Sequence, residues 1–315
     1  MKNNTLFAIG EALIDFIPNE SGCEFSQVQS FSPKIGGAPA NVLGAFAKLG
    51  GKTQLITQLG DDPFGHKIAA ALKAFRIGTD NVLFTKAANT ALAFVSLGSD
   101  GSRTFSFYRS PSADMLYDAL NLSEDTFNDC FALHFCSVSL GDFPMKQAHK
   151  KAIELAKKRG ALISFDPNIR LPLWEDTSLL KTAIDEFLPF ADIIKVSDEE
   201  IGFITGTDDI KEGCKKLLKS AKTVICTCGA DGAYAYTENA QIYVPSEKVE
   251  AKDTTGAGDA FIGSFLYSLY RSGFDKQRLD KITEAELAEF VKSSARYCGI
   301  SVQGSGAIES YPDYI

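Results

Sequence analysis

Residues 251–261 read AKDTTGAGDAF, and they set Gly256, Ala257 and Gly258 directly before a carboxylate, Asp259. Two glycines allow a turn that aims several backbone N–H groups outward, and a helix start adds positive potential there. Ile262, Phe265, Leu266 and Leu269 follow at helical spacing, so Asp259 falls in the first turn of that helix. A phosphate fits the amides. The carboxylate would repel it, but is well placed to take a proton from a hydroxyl attacking it. Phosphoryl transfer to an alcohol therefore uses both halves of the motif. A well-aimed donor at such a hole is worth about 3–4 kcal/mol, and a carboxylate base about 10²–10⁴ in rate. Taken alone, GAGD is also satisfied by an ordinary acidic helix start, so other residues must decide.

A second glycine pair, Gly36-Gly37 in GGAPAN (36–41), precedes another helical stretch and places Asn41 near its start. The pair lets backbone approach a ligand, and Asn41 offers a donor and an acceptor to a polyol. In AIGEALID, Asp15 lies a few residues past an apolar run, where its carboxylate can accept from two sugar hydroxyls. Asp166, Asn168 and Arg170 follow another apolar run, then Ser197 and Glu200, then Gly229. Ligands of open parallel sheets sit at the carboxyl ends of the strands, so these residues are expected around one crevice.

The elements that must hold them are apolar runs reading as buried strands at 6–10, 53–60, 131–138, 161–166, 191–197 and 223–229. Amphipathic stretches at 40–50, 145–160 and 209–221 read as helices between them. That alternation predicts a parallel sheet covered on both faces. Residues 12–33 and 89–109 break it as β-rich ribbons, the second with SDGS (99–102) as its hairpin turn, and are expected to form a small lid. One domain over 1–315 with that insertion is expected, since no repeat or linker divides the chain.

Bulk properties exclude other classes. A net charge of −8 without a basic block argues against nucleic acid, and no apolar run approaches the length of a membrane span. MKNNTLFAIG lacks the order of a signal peptide, so a cytoplasmic location is expected. The seven cysteines (23, 130, 136, 214, 226, 228, 298) form no C-x-x-C, and His66, His134 and His149 are scattered, so reduced thiols rather than disulfides or zinc are expected. A nicotinamide dehydrogenase needs G-x-G-x-x-G after the first strand, where AIGEALID offers one glycine. GGKT (50–53) ends like a P-loop, but Phe46 stands where its leading glycine belongs.

GGAPANVLGAFAKLGG followed by LGDDPFG, with DTTGAGDAF later, resembles the ribokinase-like (phosphofructokinase B-type) carbohydrate kinases over essentially the whole chain. GEALIDF, TALAFVSL, FYRSPSADM, FDPNIRLPLW and ADIIKVSDEEIGFITG look most like the fructokinase branch. The resemblance implies a Rossmann-like three-layer α/β/α sandwich with a small β-sheet lid. It implies transfer of the γ-phosphoryl group of ATP, with Mg²⁺, to a primary hydroxyl of D-fructose to give fructose 6-phosphate. Kinases of 2-keto-3-deoxygluconate, ribose or aminoimidazole riboside are the nearest alternatives, and a non-catalytic sensor on the same scaffold is the alternative from another class.

On the same resemblance Asp259 is the general base, the amides of Gly256, Ala257 and Gly258 form the anion hole, and Arg170 meets developing phosphoryl charge. Asp15, Gly36, Gly37, Asn41 and Asn168 hold or border the sugar, and Arg109 closes over it. Lys195, Thr227, Gly229 and Gly232 line the nucleotide. Glu200 is expected to reach Mg²⁺ indirectly, while Ser197 departs from the asparagine usual in the family. Asp253, Thr255, Ser301, Gly306 and Ser310 match a K⁺ site, and a homodimer through the lid is a further implication. Phe16, Phe94 and Phe107 are expected to pack the lid rather than stack on sugar.

Overall fold

The computed structural model describes residues 4–20, 22, 25–97 and 103–314. Its first apolar run forms β1 (Thr5–Ile9), buried throughout. Successive side chains leave a strand on opposite faces; Leu6 and Ala8 enter one core and Phe7 and Ile9 another. A strand apolar on both faces requires cover on both.

The chain continues through β2 (Leu13–Pro18) and β3 (Phe31–Gly36) into α1 (Ala38–Lys48), then β4 (Lys52–Gly60), α2 (Pro63–Ala74) and β5 (Val82–Thr85). A ribbon of β6 (Leu92–Leu97) and β7 (Arg103–Tyr108) precedes β8 (Cys130–Cys136). Regular alternation follows through α3 (Pro144–Lys158), β9 (Leu162–Asp166), α4 (Thr177–Phe187) and β10 (Ile193–Ser197). Next come α5 (Asp198–Thr205), α6 (Ile210–Leu217), β11 (Thr223–Thr227), β12 (Ala233–Thr237) and β13 (Gln241–Val244). Helices α7 (Ala257–Arg271), α8 (Lys276–Leu279) and α9 (Glu284–Ser301) complete it.

The large sheet has the order β13-β12-β11-β10-β9-β8-β1-β4-β5. From β11 to β5 its pairs are parallel, as the alternation predicts. The edge pair β12–β13 is antiparallel, a departure from the expected parallel sheet. Those strands are short and joined by a tight turn, so they give no helix-separated signal. Residues of α1, α2, α7 and α9 pack on one face, and residues of α3, α4, α5 and α6 on the other, which makes three layers. The chain leaves β1 for β4 and β5, then returns to place β8 on the other side of β1. That reversal opens a crevice at the carboxyl ends of β1 and β8.

The two expected ribbons pair with each other, in the order β3-β2-β6-β7, and form one small sheet. Phe16 stacks on Phe94 at 4.7 Å, and Phe107 packs on Leu13, Ala91 and Ala93, so these rings are spent on packing as expected. The SDGS turn and Cys23 lie outside the described residues. The other six cysteines are free. Among the described residues no helix is long and apolar enough to cross a membrane, and no cluster of His, Cys, Asp and Glu could hold a metal by itself.

Candidate active site

The turn before α7 is built as its glycines suggest. Gly256 is left-handed (φ 73°), and a Cβ there would lie 2.5 Å from Tyr311 Oη, the hydroxyl that donates to the Gly256 carbonyl. The Ala257 N–H, one of three amides expected in an anion hole, donates to the Thr254 carbonyl (3.2 Å), so only the amides of Gly256 and Gly258 stay candidates for that role. Beside them stands a cation, since a Cβ on Gly258 would meet Lys195 Nζ at 2.8 Å.

Asp259 is buried two residues into α7. Asn41 Nδ2 donates to its Oδ2 (2.9 Å) and Asn168 Nδ2 to its Oδ1 (3.4 Å). Three segments distant in sequence therefore meet on one carboxylate. Burial pushes the Asp259 carboxyl up to about 6; Asn41, Lys195 and Arg170 pull it down, and Asp166 adds to the rise. A base with that pKa is better matched to work near neutrality than an ordinary aspartate. Because the shift is upward, Asp259 as the base expected from the sequence would have to lose its proton near pH 6 to act. We expect kcat/KM to fall tenfold per pH unit below about 6, measured with a pH-independent coupled assay.

Asp166 and Lys195 project from β9 and β10, where Lys195 Nζ donates to Asp166 Oδ2 at 2.9 Å. Burial lowers the lysine pKa, but Asp166 and Glu200 outweigh it and the net shift is upward, so the ammonium stays charged. Asp166 followed a strand in the sequence, yet nothing local marked it as the partner of Lys195. On the same face His134 Nδ1 contacts Ser164 Oγ (3.0 Å). Burial and the Lys195 charge push that imidazole down to about 3, so it is neutral and supports the floor of the site.

On the opposite side, Asp15 is half-buried on β2, and a Cβ on Gly36 would overlap its carboxylate. Gly37 caps α1, and a Cβ there would crowd the Glu11 carbonyl at 2.6 Å. Asn41 Oδ1 is buried without a hydrogen-bond partner, an acceptor that a polyol hydroxyl would satisfy. Asn168 is held at φ 45°, its N–H on Asp166 Oδ1 (3.1 Å). Arg170 is exposed, with Nη1 on the Ile169 carbonyl (2.9 Å).

Arg109 departs from expectation. It is 8% exposed, and its guanidinium donates to Asp114 Oδ2 (Nε, 3.0 Å), the Val138 carbonyl (Nη1, 3.0 Å) and Ser139 Oγ (Nη2, 3.0 Å). With all three nitrogens engaged, Arg109 buttresses the crevice rather than closing over a sugar. Sequence reasoning also passed over Glu11, although it stands inside the quoted GEALIDF; its only signal was a carboxylate one residue past a strand-ending glycine.

Thr227, Gly229 and Gly232 line a cavity of about 620 Å³ that runs to Ala257 and Gly258 and is walled by Val249, Phe261, Ala295 and Val302. This mostly apolar cleft ends at the glycine turn before α7, beside the Lys195 ammonium. Glu200 is a cap: Oε2 accepts the Ser197 N–H (2.9 Å) and Oε1 the Ile169 N–H (2.6 Å). Ser197 is thus the N-cap of α5, which a serine fills as well as an asparagine.

Asp253 joins two loops, with Oδ1 on the Thr255 N–H (2.9 Å) and Oδ2 on the Gly306 N–H (2.9 Å). Ser301 and Ser310 hydroxyls donate to the carbonyls of Cys298 and Ala307 (2.8 and 2.9 Å). Asp253, Thr255 and Gly306 are therefore brought together, while the two serine hydroxyls are spent locally.

Comparison with known proteins matches this geometry. A family model described as pfkB family carbohydrate kinase matches residues 3–314. Fructokinase-2 of Solanum habrochaites is 41% identical over 309 residues, covering 98% of this chain and 93% of its own. The structure of fructokinase from Xylella fastidiosa with bound ATP matches with a TM-score of 0.88 at 32% identity, over 98% of this chain and 95% of that one. A fructokinase double mutant from Vibrio cholerae O395, with fructose, ADP and potassium ion bound, matches with a TM-score of 0.86 at 31% identity, over 99% and 96% of the two chains. With the glycine turn, its carboxylate and the apolar cleft meeting at one crevice, this chain belongs to the pfkB family of carbohydrate kinases, phosphotransferases that act on sugars.

Proposed function

We propose that the protein transfers the γ-phosphoryl group of ATP to the 6-hydroxyl of D-fructose, giving fructose 6-phosphate and ADP. The observation that carries this reading is Asp259, held by Asn41 and Asn168 next to the Gly258 amide and Lys195. Asp15, Asn41 and the Gly36–Gly37 backbone hold the sugar hydroxyls. Asp259 takes the proton as the hydroxyl oxygen bonds to phosphorus and the bond to the ADP oxygen breaks. The amides of Gly256 and Gly258, with Lys195 and Arg170, face the negative charge, and Asn168 sits between sugar and phosphates. Such chemistry is mostly positioning and electrostatics.

Mg²⁺ suits the phosphates, since it keeps several waters and needs few protein ligands. Glu200 would reach it only through water, because both its oxygens hold backbone N–H groups. K⁺ fits the loops joined by Asp253 through their backbone carbonyls. The small sheet acts as a lid over the sugar, and its exposed Phe25 (41%) and Tyr108 (64%) suit pairing with a second copy in a homodimer. Free buried thiols suit the reducing cytoplasm.

A panel of D-fructose, ribose, 2-keto-3-deoxygluconate and aminoimidazole riboside with Mg-ATP, with and without K⁺, tests the substrate. Fructose is expected to give the highest kcat/KM, and the absence of fructose-dependent ADP release would sink the proposal. Light scattering on a sizing column tests the dimer.

A further inference from the structure

The small sheet joins the large one by four connections; one buried carboxylate lies in the first, touches the second and is linked through a serine to the fourth. Glu11 lies in the connection from β1 to β2. Its Oε1 accepts the Ala38 N–H (3.2 Å), where β3 passes into α1 and the Gly36–Asn41 turn begins. Its Oε2 accepts the Ser139 hydroxyl (3.1 Å), and Ser139 Oγ accepts in turn from Arg109 Nη2 (3.0 Å), just past the end of β7. We propose that Glu11 is a positioning residue, which through Ala38 and the Ser139–Arg109 link sets the small sheet and the Asn41 turn relative to Asp259. The proposal rests on the sugar-kinase reading of this crevice and adds a residue to it.

The carboxylate is 3% exposed. Burial pushes it up to about 7, against the opposing charge of Arg109, while Asp114 adds to the rise. The other titratable groups nearby are the Cys136 thiol, raised by burial, and His149 facing Arg109, which burial lowers to about 4 and keeps neutral. Only the ionised form accepts from both Ala38 and Ser139. An N–H can only donate, so a protonated Glu11 would present its new O–H to Ser139, and the link to Arg109 loosens. Sugar affinity should therefore weaken as pH falls through about 7, separately from the loss of kcat that follows Asp259.

The test is Glu11→Gln, which keeps the shape and the bond to Ala38 but presents an N–H₂ to Ser139. We expect the KM of the best sugar in the panel to rise about tenfold at pH 8, with the KM of ATP changing less than twofold. The acid-side rise of sugar KM between pH 8 and 6 should disappear in the variant. An unchanged sugar KM, equal rises in both KM values, or an acid-side rise that persists would each overturn the proposal. Should Glu11→Gln fail to fold, Ser139→Ala removes the hydroxyl that joins Glu11 Oε2 to Arg109 and leaves the bond to Ala38, and a sugar-selective rise of about threefold is expected; no change there would overturn it too. Calorimetric titration with D-fructose separates the two readings. Fructose bound by the wild type and weakened by Glu11→Gln supports the positioning role whatever the turnover, whereas failure of the wild type to phosphorylate any sugar counts against the kinase reading alone.

Discussion

Asp259→Asn is expected to lower kcat by roughly 10²–10⁴ while the Kd for ATP stays close to wild type. The substitution keeps the volume and removes the base. It also leaves one acceptor oxygen for two donors, Asn41 Nδ2 and Asn168 Nδ2, so the sugar-side contacts loosen as well. Stability should not suffer at pH 8. The folded carboxyl titrates near 6, above its ordinary 3.8, so its stabilising contribution is present at low pH and is lost as pH rises through 6. At pH 8 the ionised group is a net cost that the amide removes. A variant that turns over normally would take Asp259 out of the role of base, and a melting temperature that falls sharply would show that the carboxylate holds the fold.

Lys195→Met should lower kcat/KM for ATP by about 10²–10³, because it removes a fixed cation from the phosphate end of the cleft. It should also unfold more easily. Asp166 is 1% exposed and its partner is 2.9 Å away, and breaking a buried pair from one side costs about 3–5 kcal/mol. The double variant Lys195→Met with Asp166→Asn separates the two effects. Stability measured by urea titration should largely return, since the Asp166 carboxylate is no longer left without its cation, while turnover should not. If turnover returned with stability, the lysine would serve the fold and not the phosphates.

Asp259 is found by its spacing and Lys195 through the family resemblance, but the energetics of both come from neighbours that neither shows. Arg109 illustrates the difference. The family resemblance implies a side chain that closes over the sugar. In the fold the ribbon returns to the carboxyl end of β8, and Asp114, Val138 and Ser139 take all its nitrogens. Glu200 is similar, since an acid three residues into a helix is both a metal candidate and a cap, and the Ile169 N–H arriving from another loop decides how its oxygens are used. The antiparallel β12–β13 edge escaped for a simpler reason, since strands that follow each other through a tight turn carry no intervening helix to announce them.

What the sequence by itself determined is what depends on near neighbours along the chain. The left-handed turn at Gly256, the helix it starts, the carboxylate two residues into that helix and the alternation of strands and helices all arise within a few residues, where backbone sterics and periodicity suffice. Only the tertiary structure decided what those groups meet. Asn41 reaches Asp259 across 218 positions, Asn168 across 91, and Ser139 reaches Glu11 across 128. Strand order brings these pairs together, and burial then sets the charge each carboxyl carries. A carboxylate in water and the same carboxylate between Asn41, Lys195 and Asp166 differ in desolvation and in the charges they face, and neither quantity is a property of the residue alone.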